Sequence, residues 1–447
     1  MPSLCTVIQT SDRRKAHPCG LPCVEGHDTC QFHIPGVMVP CPIDPNHTVR
    51  ADRVAAHVKK CPSKDKSAIG HAYFTLDINK GSDSEVFVPE KGIDEGISPS
   101  LMAQLPSLME NTSPDGWMDA STVTEAADGT SNDYAPVFAV RKKQKHDVQL
   151  SAMLQQIEGA GLLDPSFTYL EVGCGRGALS VAIQMRLPEA TCILVDTRVA
   201  GYQRGTVALA KKHGCVGALH RLQIDLKDFN IAGALEELSL ASDEKGGRLV
   251  IIGKHVCGAG TDFALRMLEQ SLPSNWSFAG VAIAQCCHSR LSVQDYVGNK
   301  YLPLLLDLPD QEQQKQKQPP RLSLACWKQL QKMSSWCLAG STLGHHRESS
   351  AAVATVSDPK AVTAATAPRT PQQDHDPILT PSYLQLCAAL TPAEKYARGI
   401  AAQKLWDEGR RRFCLQHLTQ AQCIYYTSPE VTPENVLLLA SVGRSAD

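Results

Sequence analysis

The sequence predicts an α/β fold in which a doubly wound, mostly parallel sheet follows small metal-stabilised modules. From residue 167 onward, short β-branched runs alternate with helical segments, which is typical of a parallel sheet with helices on both faces. Six of the seventeen cysteines lie in the first 61 residues. That stretch has too few large apolar side chains to fold by packing alone, so it requires bound metal.

The overall composition is that of a globular protein and excludes a membrane-spanning one. The 447 residues carry 44 basic and 46 acidic side chains, for a formal charge of -2. The longest apolar runs are far shorter than the roughly 18 residues that cross a bilayer, and charges at residues 12–15 interrupt any amino-terminal signal. We expect a soluble intracellular protein, nuclear or cytoplasmic, in a reducing compartment where cysteines act as metal ligands, catalytic groups or buried thiols.

The first module, residues 1–35, is predicted to be a CCCH-type zinc finger. Its expected ligands are Cys5, Cys19, Cys30 and His33. The CGLPC stretch offers Cys23 as an alternative to Cys19 or Cys5, and the spacing does not choose between them. A structural zinc does no chemistry itself, so a module of this kind serves recognition.

The second module, residues 38–66, is predicted to be a CHHC-type zinc finger from the spacing Cx5Hx9Hx3C. Its ligands are Cys41, His47, His57 and Cys61. His57 and Cys61 lie four residues apart on a predicted helix, so both side chains point the same way. We therefore expect two structural zinc ions in all. Nine basic against six acidic residues in 1–66 favour nucleic acid as the partner of these modules.

Residues 81–133 are predicted to be an acidic disordered linker. Lys91 is the only base among eleven acidic residues there, and such composition does not sustain a packed core. Apolar residues at helical spacing resume at 148–163, so the large domain is placed at 145–447. Two tracts within it, Gln-rich 308–320 and Ala/Thr/Pro-rich 345–380, are predicted to be disordered insertions in surface loops.

The elements of the large domain follow in order along the chain. The predicted strands are 168–172, 192–196, 219–225, 248–253 and 280–285, and the predicted helices between them are 178–187, 201–213, 231–239 and 260–271. A helix at 392–418 and strands at 422–427 and 435–440 close the chain.

A glycine-rich turn follows the first of these strands in the stretch YLEVGCGRGALS. The turn supplies Gly173, Gly175 and Gly177 after Glu171, and acidic residues Asp196 and Asp225 follow the next two strands. Alternate glycines let the backbone approach a ligand closely, and a carboxylate 25 residues after Glu171 is placed to accept both hydroxyls of a ribose. The pattern ExGxGxG with these acids fits the nucleoside end of S-adenosyl-L-methionine in class I methyltransferases better than the dinucleotide pattern GxGxxG. The closing helix and two strands agree with this, because that methyltransferase fold ends with an antiparallel hairpin strand on an otherwise parallel sheet.

Polar residues follow two later strands, in the stretches GKHVCGAGTD and AQCCHSR. Ligands of doubly wound sheets lie outside the carboxyl ends of the strands, so we expect a set of side chains to converge near the methyl donor: Lys254, His255, Asp262, Cys286, Cys287 and His288. A cation there can lower the pKa of a hydroxyl, and a histidine can take its proton. Taken singly, Cys257, Cys286 and Cys287 are interpreted as buried thiols.

The chain resembles the eukaryotic tRNA 2'-O-methyltransferases that modify the ribose of the fourth nucleotide in the acceptor stem. The motifs that carry the resemblance are CPIDPNHTVRADRVAAHVKKC, YLEVGCGRGALS, LVDTR, RLQIDLKDF, GKHVCGAGTDFALRML, AIAQCCHSR, LWDEGRRRF and TPENVLLLA. It implies two zinc fingers, S-adenosyl-L-methionine as methyl donor and a tRNA acceptor stem as partner, and the sequence implies no protein partner. This chain departs from the family at two points. After the paired cysteines, where the family has two histidines, it has His288 and Ser289, and after Asp196 it has Thr197 before Arg198. Arg198 is included among the expected cofactor-binding residues.

The expected mechanism assigns Lys254 or His255 to deprotonation of the ribose hydroxyl, with Asp262 or His288 orienting the partner. The basic run Arg410 to Arg412 is interpreted either as a phosphate-backbone contact or as a solvated helix face. Three other functions stay open: an RNA base N-methyltransferase, a catalytically inactive zinc-finger RNA-binding protein, and a splicing factor. The last rests on the CHHC finger alone, which resembles a module of a minor spliceosome protein.

Overall fold

The computed structural model divides the chain into two compact units, residues 1–67 and 68–447. The residues it describes are 8–11, 14–18, 38–41, 48–50, 53–58, 61, 68–81, 96–111, 117–118, 144–197, 208, 210–240, 246–307, 322–339 and 381–443. Both predicted insertions and most of the helix predicted at 201–213 lie outside these residues. Within the described part of the chain, no helix has the length and apolarity needed to cross a bilayer.

The amino-terminal unit consists of two hairpins and one short helix within its described residues. Strands β1 (Ile8–Ser11) and β2 (Arg14–Pro18) pair antiparallel. Strands β3 (Met38–Pro40) and β4 (Thr48–Arg50) form a second antiparallel pair, and helix α1 (Val54–Val58) follows. The second hairpin and α1 coincide with the region predicted to form the CHHC finger.

The large unit is built on an eight-stranded sheet within the described residues. Its strands are β5 (Trp117–Met118), β6 (Phe167–Val172), β7 (Thr191–Asp196), β8 (Leu219–Gln223), β9 (Gly247–Gly253), β10 (Trp276–Ala284), β11 (Gln420–Tyr425) and β12 (Val436–Ser441). Their order across the sheet is β5-β11-β12-β10-β9-β6-β7-β8. Strands β6 to β10 run parallel, and β12 is antiparallel to both β10 and β11. The predicted doubly wound sheet with an antiparallel last strand, the class I methyltransferase arrangement, is therefore confirmed.

The helices cover both faces of this sheet and add a separate helical layer. They are α2 (Pro99–Asn111), α3 (Gln144–Gly159), α4 (Ala178–Arg186), α5 (Ile231–Glu237), α6 (Gly260–Arg266), α7 (Leu302–Leu305), α8 (Leu324–Met333), α9 (Trp336–Ala339), α10 (Pro381–Ala389) and α11 (Pro392–Cys414). Local signals fix several starts: Asn230 caps α5, and Thr391 forms a capping box with Glu394 at the start of α11.

The core consists of apolar side chains on both faces of the parallel strands. Every residue of β6 is buried, as expected for a central strand covered by helices on both sides. Helices α3 and α4 supply Met153 and Leu179 to one face, whereas α5 and α6 supply Ile231 and Phe263 to the other. A third cluster unites α2, α8, α10 and α11 around Trp406.

The prediction of a disordered linker over 81–133 is wrong for part of that segment. Helix α2 lies within it and buries Met102, Leu105 and Met109 against the third cluster, and β5 extends the sheet beside β11. Arg398 of α11 also donates a hydrogen bond from Nε to the carbonyl of Met102, at 3.1 Å. The apolar contacts stabilise this helix although its acidic surroundings suggested disorder.

Candidate active site

The strand order reverses between β6 and β9, and the loops that follow these two strands meet there. Ligands of doubly wound sheets bind at such a switch point, beyond the carboxyl ends of the strands. A Cβ atom added at Gly173, in the loop after β6, would lie 3.3 Å from the carbonyl oxygen of His255, in the loop after β9. The fold therefore brings the glycine-rich turn and the GKHVCG segment into contact.

The glycine-rich turn between β6 and α4 has a backbone that other residues rarely adopt. Its three glycines, Gly173, Gly175 and Gly177, have φ values of 59°, 49° and 72°. Glycine is the residue that adopts this left-handed region without a steric penalty. Among the described residues, a Cβ atom added at Gly175 would meet no heavy atom within 4 Å, so on this side the described part of the chain leaves room for a ligand.

Glu171 lies beneath the turn, and its carboxylate is engaged by the start of α4. It accepts hydrogen bonds from the backbone N–H and the hydroxyl of Ser180, at 2.9 and 2.5 Å. Complete burial raises the pKa of this carboxyl to about 7. We assign Glu171 a role in holding the shape of the turn.

Asp196 and Arg221 both form hydrogen bonds with the backbone of Gly175, in the middle of the turn. Asp196, at the end of β7, accepts a hydrogen bond at 2.8 Å from the backbone N–H of Gly175, and Arg221 of β8 donates to the carbonyl of Gly175. Sequence reasoning missed Arg221, for which the only signal was a basic residue inside a strand. Asp225 caps the short helix after β8 and accepts from the N–H of Lys227, at 3.1 Å. Arg198 lies outside the described residues.

Lys254 and His255 follow β9 and share their surroundings with His146 of α3. The Nζ atom of Lys254 lies 3.2 Å from Nδ1 of His146 and 3.3 Å from its carbonyl oxygen. The rings of His146 and His255 meet edge to face, with centroids 6.4 Å apart. The sequence did not predict a role for His146, because the packing of α3 on the sheet is what brings it beside Lys254. Its only signal in the sequence was its position next to a basic cluster.

Burial and neighbouring charge shift the pKa values of these basic groups. Burial lowers the pKa of the Lys254 amine to about 8, although the carboxylates of Asp147 and Glu171 oppose that shift. Burial also lowers the pKa of His255, and the charges of Lys254 and His146 lower it further. An amine and an imidazole that lose their protons this readily are suited to accept one from a substrate hydroxyl.

Asp262 and His288 are buried, and their hydrogen bonds lead away from Lys254 and His255. Asp262 is paired with Arg410 through two bonds, of 3.2 Å to Nε and 2.7 Å to Nη2. His288 bonds through Nε2 to Asp407, at 2.7 Å. Among the described residues, the structure thus does not bring Asp262 or His288 together with the basic groups they were expected to orient. We assign both a positioning role: Asp262 links α6 to α11, and His288 links the loop after β10 to α11.

Neither interpretation of the basic run on α11 is correct for Arg410. Its side chain is completely buried. Besides the two bonds to Asp262, it donates a hydrogen bond from Nη1 to Oε1 of Gln285, at 2.6 Å. Arg411 and Arg412 both donate to the buried carboxylate of Glu408, at 2.7 and 2.9 Å. The run had the local composition of a surface helix. The partners of Arg410 are distant in sequence, however, and the partner of Arg411 and Arg412 lies one turn earlier on the same helix.

The interpretation of the three cysteines as buried thiols holds for Cys286 alone. Cys257 is exposed and Cys287 is half-buried. The sulfur atom of Cys257 lies 3.8 Å from that of Cys286 and 3.3 Å from that of Cys287. Hydrogen bonding from the other two thiols, Cys286 first, lowers the pKa of Cys257 to about 6. The two strand-end loops thus form a three-thiol cluster, a name used below for Cys257, Cys286 and Cys287.

In the amino-terminal unit, three of the four predicted CHHC ligands are described, and they lie together. The sulfur atoms of Cys41 and Cys61 are 3.6 Å apart, and Nε2 of His57 is 3.1 Å from the sulfur of Cys41. Two thiolates on one tetrahedral zinc ion lie about 3.8 Å apart, so these donors fit zinc. His47, Cys5, Cys19, Cys30 and His33 lie outside the described residues.

Comparison with protein families decides what this domain is. The family model described as Methyltransferase TRM13 matches residues 148–441, which include the whole sheet except β5. The chain belongs to the TRM13 methyltransferase family. A second model, the U11-48K-like CHHC zinc finger, matches residues 38–62. The TRM13 match agrees with the predicted S-adenosyl-L-methionine cofactor, and the finger match with predicted zinc. The number of zinc ions stays a prediction.

Curated relatives share most of the length of this TRM13 family chain. A mouse protein named "tRNA:m(4)X modification enzyme TRM13 homolog" is 29% identical, covering 90% of this chain and 85% of the relative. The human protein of the same name is 27% identical, with 91% and 87% covered. An Eremothecium gossypii relative, named as a TRM13 enzyme, is 24% identical, with 95% and 92% covered.

Solved structures similar to this chain are also methyltransferases. The plantazolicin methyltransferase BpumL, solved in complex with SAH, is 19% identical with a TM-score of 0.19, covering 41% of this chain and 58% of the other. Coclaurine N-methyltransferase is 8% identical with a TM-score of 0.24, covering 72% and 83%. TM-scores this low support no further conclusion about this TRM13 family member.

Proposed function

We propose that this protein transfers a methyl group from S-adenosyl-L-methionine to a ribose 2'-hydroxyl of tRNA, at the fourth nucleotide of the acceptor stem. The observation that carries the proposal is the pair of deprotonatable groups, Lys254 and His255, at the switch point beside the glycine-rich turn. A ribose hydroxyl is a poor nucleophile and requires such a base. The names of the curated relatives, tRNA:m(4)X modification enzymes, support tRNA as the substrate.

The chain's own residues fit a nucleoside-containing methyl donor. When bound, S-adenosyl-L-methionine supplies an electrophilic methyl group on a sulfonium. We propose that the open side of the turn at Gly175 approaches the donor, that Asp196 accepts ribose hydroxyls and that Asp225 lines the same edge. The bonds from Glu171 and Arg221 hold the turn in place before binding, which reduces the ordering that binding requires.

Lys254 is the residue we assign to proton removal. Its neutral amine accepts the 2'-hydroxyl proton as the ribose oxygen attacks the methyl group, and His146, 3.2 Å away, is placed to pass that proton to solvent. His146 is exposed, whereas Lys254 is half-buried, so the pair connects the interior of the site to water. His255 adds a second group that is neutral at physiological pH.

The methylation rate is expected to rise with pH and to level off above about 8. The amine must be neutral to accept a proton, and the pKa of Lys254 is about 8; the neutral fraction therefore falls about tenfold per pH unit below that value. Single-turnover rates at saturating donor and tRNA, measured from about pH 6 to 10, test this. A rate independent of pH across that range would contradict the assignment of Lys254.

Replacing Asp196 with alanine is expected to weaken donor binding by about tenfold to a hundredfold. A hydrogen bond to a charged group contributes about 1.5–3 kcal/mol, and each 1.4 kcal/mol corresponds to about a tenfold change in Kd. Isothermal titration calorimetry measures the effect. Glu189→Ala is the matched control, because Glu189 is an exposed acid before the amino end of β7, away from the site. Equal affinity in Asp196→Ala and Glu189→Ala would exclude Asp196 from the binding site.

The test of the proposed function is to identify the methylated atom. The purified full-length protein is incubated with isotope-labelled donor and unmodified tRNA, and the product is digested to nucleosides and analysed by mass spectrometry. We expect label in a 2'-O-methyl nucleoside, and an alkali-resistant linkage after the fourth nucleotide. Label in a methylated base, or ribose methylation elsewhere in the tRNA, would contradict the proposal.

A further inference from the structure

The three-thiol cluster lies at the same edge of the sheet as the proposed active site but has no part in the chemistry described above. Cys257 follows β9 and Cys286 and Cys287 follow β10, so two separate loops contribute to it. All three sulfur atoms lie within 4.8 Å of one another. Among the described residues, two groups of three metal-ligating side chains lie this close together: this cluster, and the set Cys41, His57 and Cys61.

The finger ligands of this chain provide a direct comparison for the cluster. Cys41 and Cys61, within the segment matched by the zinc-finger family, have sulfur atoms 3.6 Å apart. The cluster distances of 3.8 and 3.3 Å lie on either side of that value. Thiolates sharing a tetrahedral ion are separated by about 3.8 Å, so the first pair fits and the second has to open by about half an ångström.

The backbone holds the three sulfur atoms together at some conformational cost. Cys287 has a φ of 54°, in the left-handed region that non-glycine residues rarely adopt. Its N–H donates to a carboxylate oxygen of Glu434 at 2.6 Å, which holds this conformation. Gly258, next to Cys257, has a φ of 64°, which glycine adopts without a steric penalty, and a Cβ there would lie 2.8 Å from the carbonyl oxygen of Arg290. Strain of the kind seen at Cys287 persists where the surroundings enforce it and is concentrated at functional sites.

We propose that Cys257, Cys286 and Cys287 bind a soft divalent metal ion of the zinc class through three thiolates. Three thiol protons leave to solvent as three sulfur–metal bonds form, and no oxidation is involved. The exposed Cys257 and half-buried Cys287 give the ion a route from solvent. The cluster supplies three ligands, which leaves the fourth tetrahedral position for water or an incoming ligand. The bound ion would join the loops after β9 and β10 beside the site.

Metal content of the full-length protein tests this proposal. We expect the variant C257S/C286S/C287S to contain one equivalent of zinc less than the unsubstituted protein, measured by inductively coupled plasma mass spectrometry after purification from zinc-supplemented culture. Cys387→Ser is the matched control, because Cys387 is another half-buried cysteine in the large unit, on α10. It is expected to leave the metal content unchanged, and Cys41→Ser is expected to remove a separate equivalent.

A single variant keeps the test valid if the triple variant fails to fold. Cys257 is exposed, so Cys257→Ser is expected to keep the fold while weakening cobalt(II) binding at least tenfold, measured by chelator competition on the thiolate-to-cobalt absorption band. Unchanged metal content in the triple variant or unchanged cobalt affinity in Cys257→Ser would overturn the proposal. A disulfide between Cys257 and Cys287 in the freshly purified protein, detected by alkylation and peptide mass mapping without reductant, would also overturn it.

Discussion

Replacing Lys254 with methionine is expected to lower kcat for methyl transfer by about 10²–10⁴-fold, the usual contribution of a positioned general base. Methionine keeps the length of the apolar stem and removes the amine that lies beside His146. The dissociation constant for S-adenosyl-L-methionine is expected to stay within a few-fold of its original value, because the turn and Asp196 are unaltered. Initial rates at saturating donor and tRNA, together with calorimetry of donor binding, measure the two effects separately.

Two further variants make the Lys254 experiment specific. Lys332→Met removes an exposed lysine from α8 and is expected to leave kcat unchanged. Lys254→Arg keeps a positive charge but cannot be deprotonated near neutral pH, so it is expected to be as slow as Lys254→Met. Near-normal activity in Lys254→Arg would show that Lys254 acts through its charge and would refute its assignment as the base.

Replacing Arg410 with methionine is expected to lower the free energy of unfolding of the large unit by about 3–5 kcal/mol. Removing one partner of a buried ion pair leaves the other charge unpaired in the interior, which accounts for a destabilisation of this size. Both Arg410 and Asp262 are completely buried, with Nη2 and Oδ2 2.7 Å apart. Urea unfolding followed by tryptophan fluorescence measures the change, because Trp327 and Trp406 are both buried in the helical layer.

The double variant Asp262→Leu/Arg410→Met provides the decisive comparison. Removing both charges leaves no unpaired ion, so this protein is expected to be more stable than either single variant. Lys395→Met, on the same helix and half-exposed, is expected to change the unfolding free energy by no more than about 0.5 kcal/mol. If the double variant is less stable than both single variants, burial of an unpaired charge is not the cause.

The sequence was sufficient to predict the sheet and the turn because both depend on local patterns. The predicted strand 168–172 is observed as Phe167–Val172, and the predicted 192–196 as Thr191–Asp196. Alternating strands and helices determine a parallel order, and the ExGxGxG spacing determines where the left-handed glycines fall. These features required no knowledge of distant contacts.

The remainder of the site depends on contacts between residues far apart in the chain. Arg410 had the local signature of a surface charge, and its partner Asp262 is 148 residues away. His146 reaches Lys254 through the packing of α3 on the sheet, over a separation of 108 residues. Helix α2 is stabilised by α11, and 296 residues separate Arg398 from its partner Met102. No local pattern contains these pairings.

Helix α11 supplies partners to α6 and to the loop after β10, through Arg410 to Asp262 and Gln285 and through Asp407 to His288. A chimera that takes its last third from one relative and its middle from another would break these pairs wherever the parents differ. We therefore expect such hybrids to work only when positions 262 and 410, and positions 288 and 407, are inherited from the same parent.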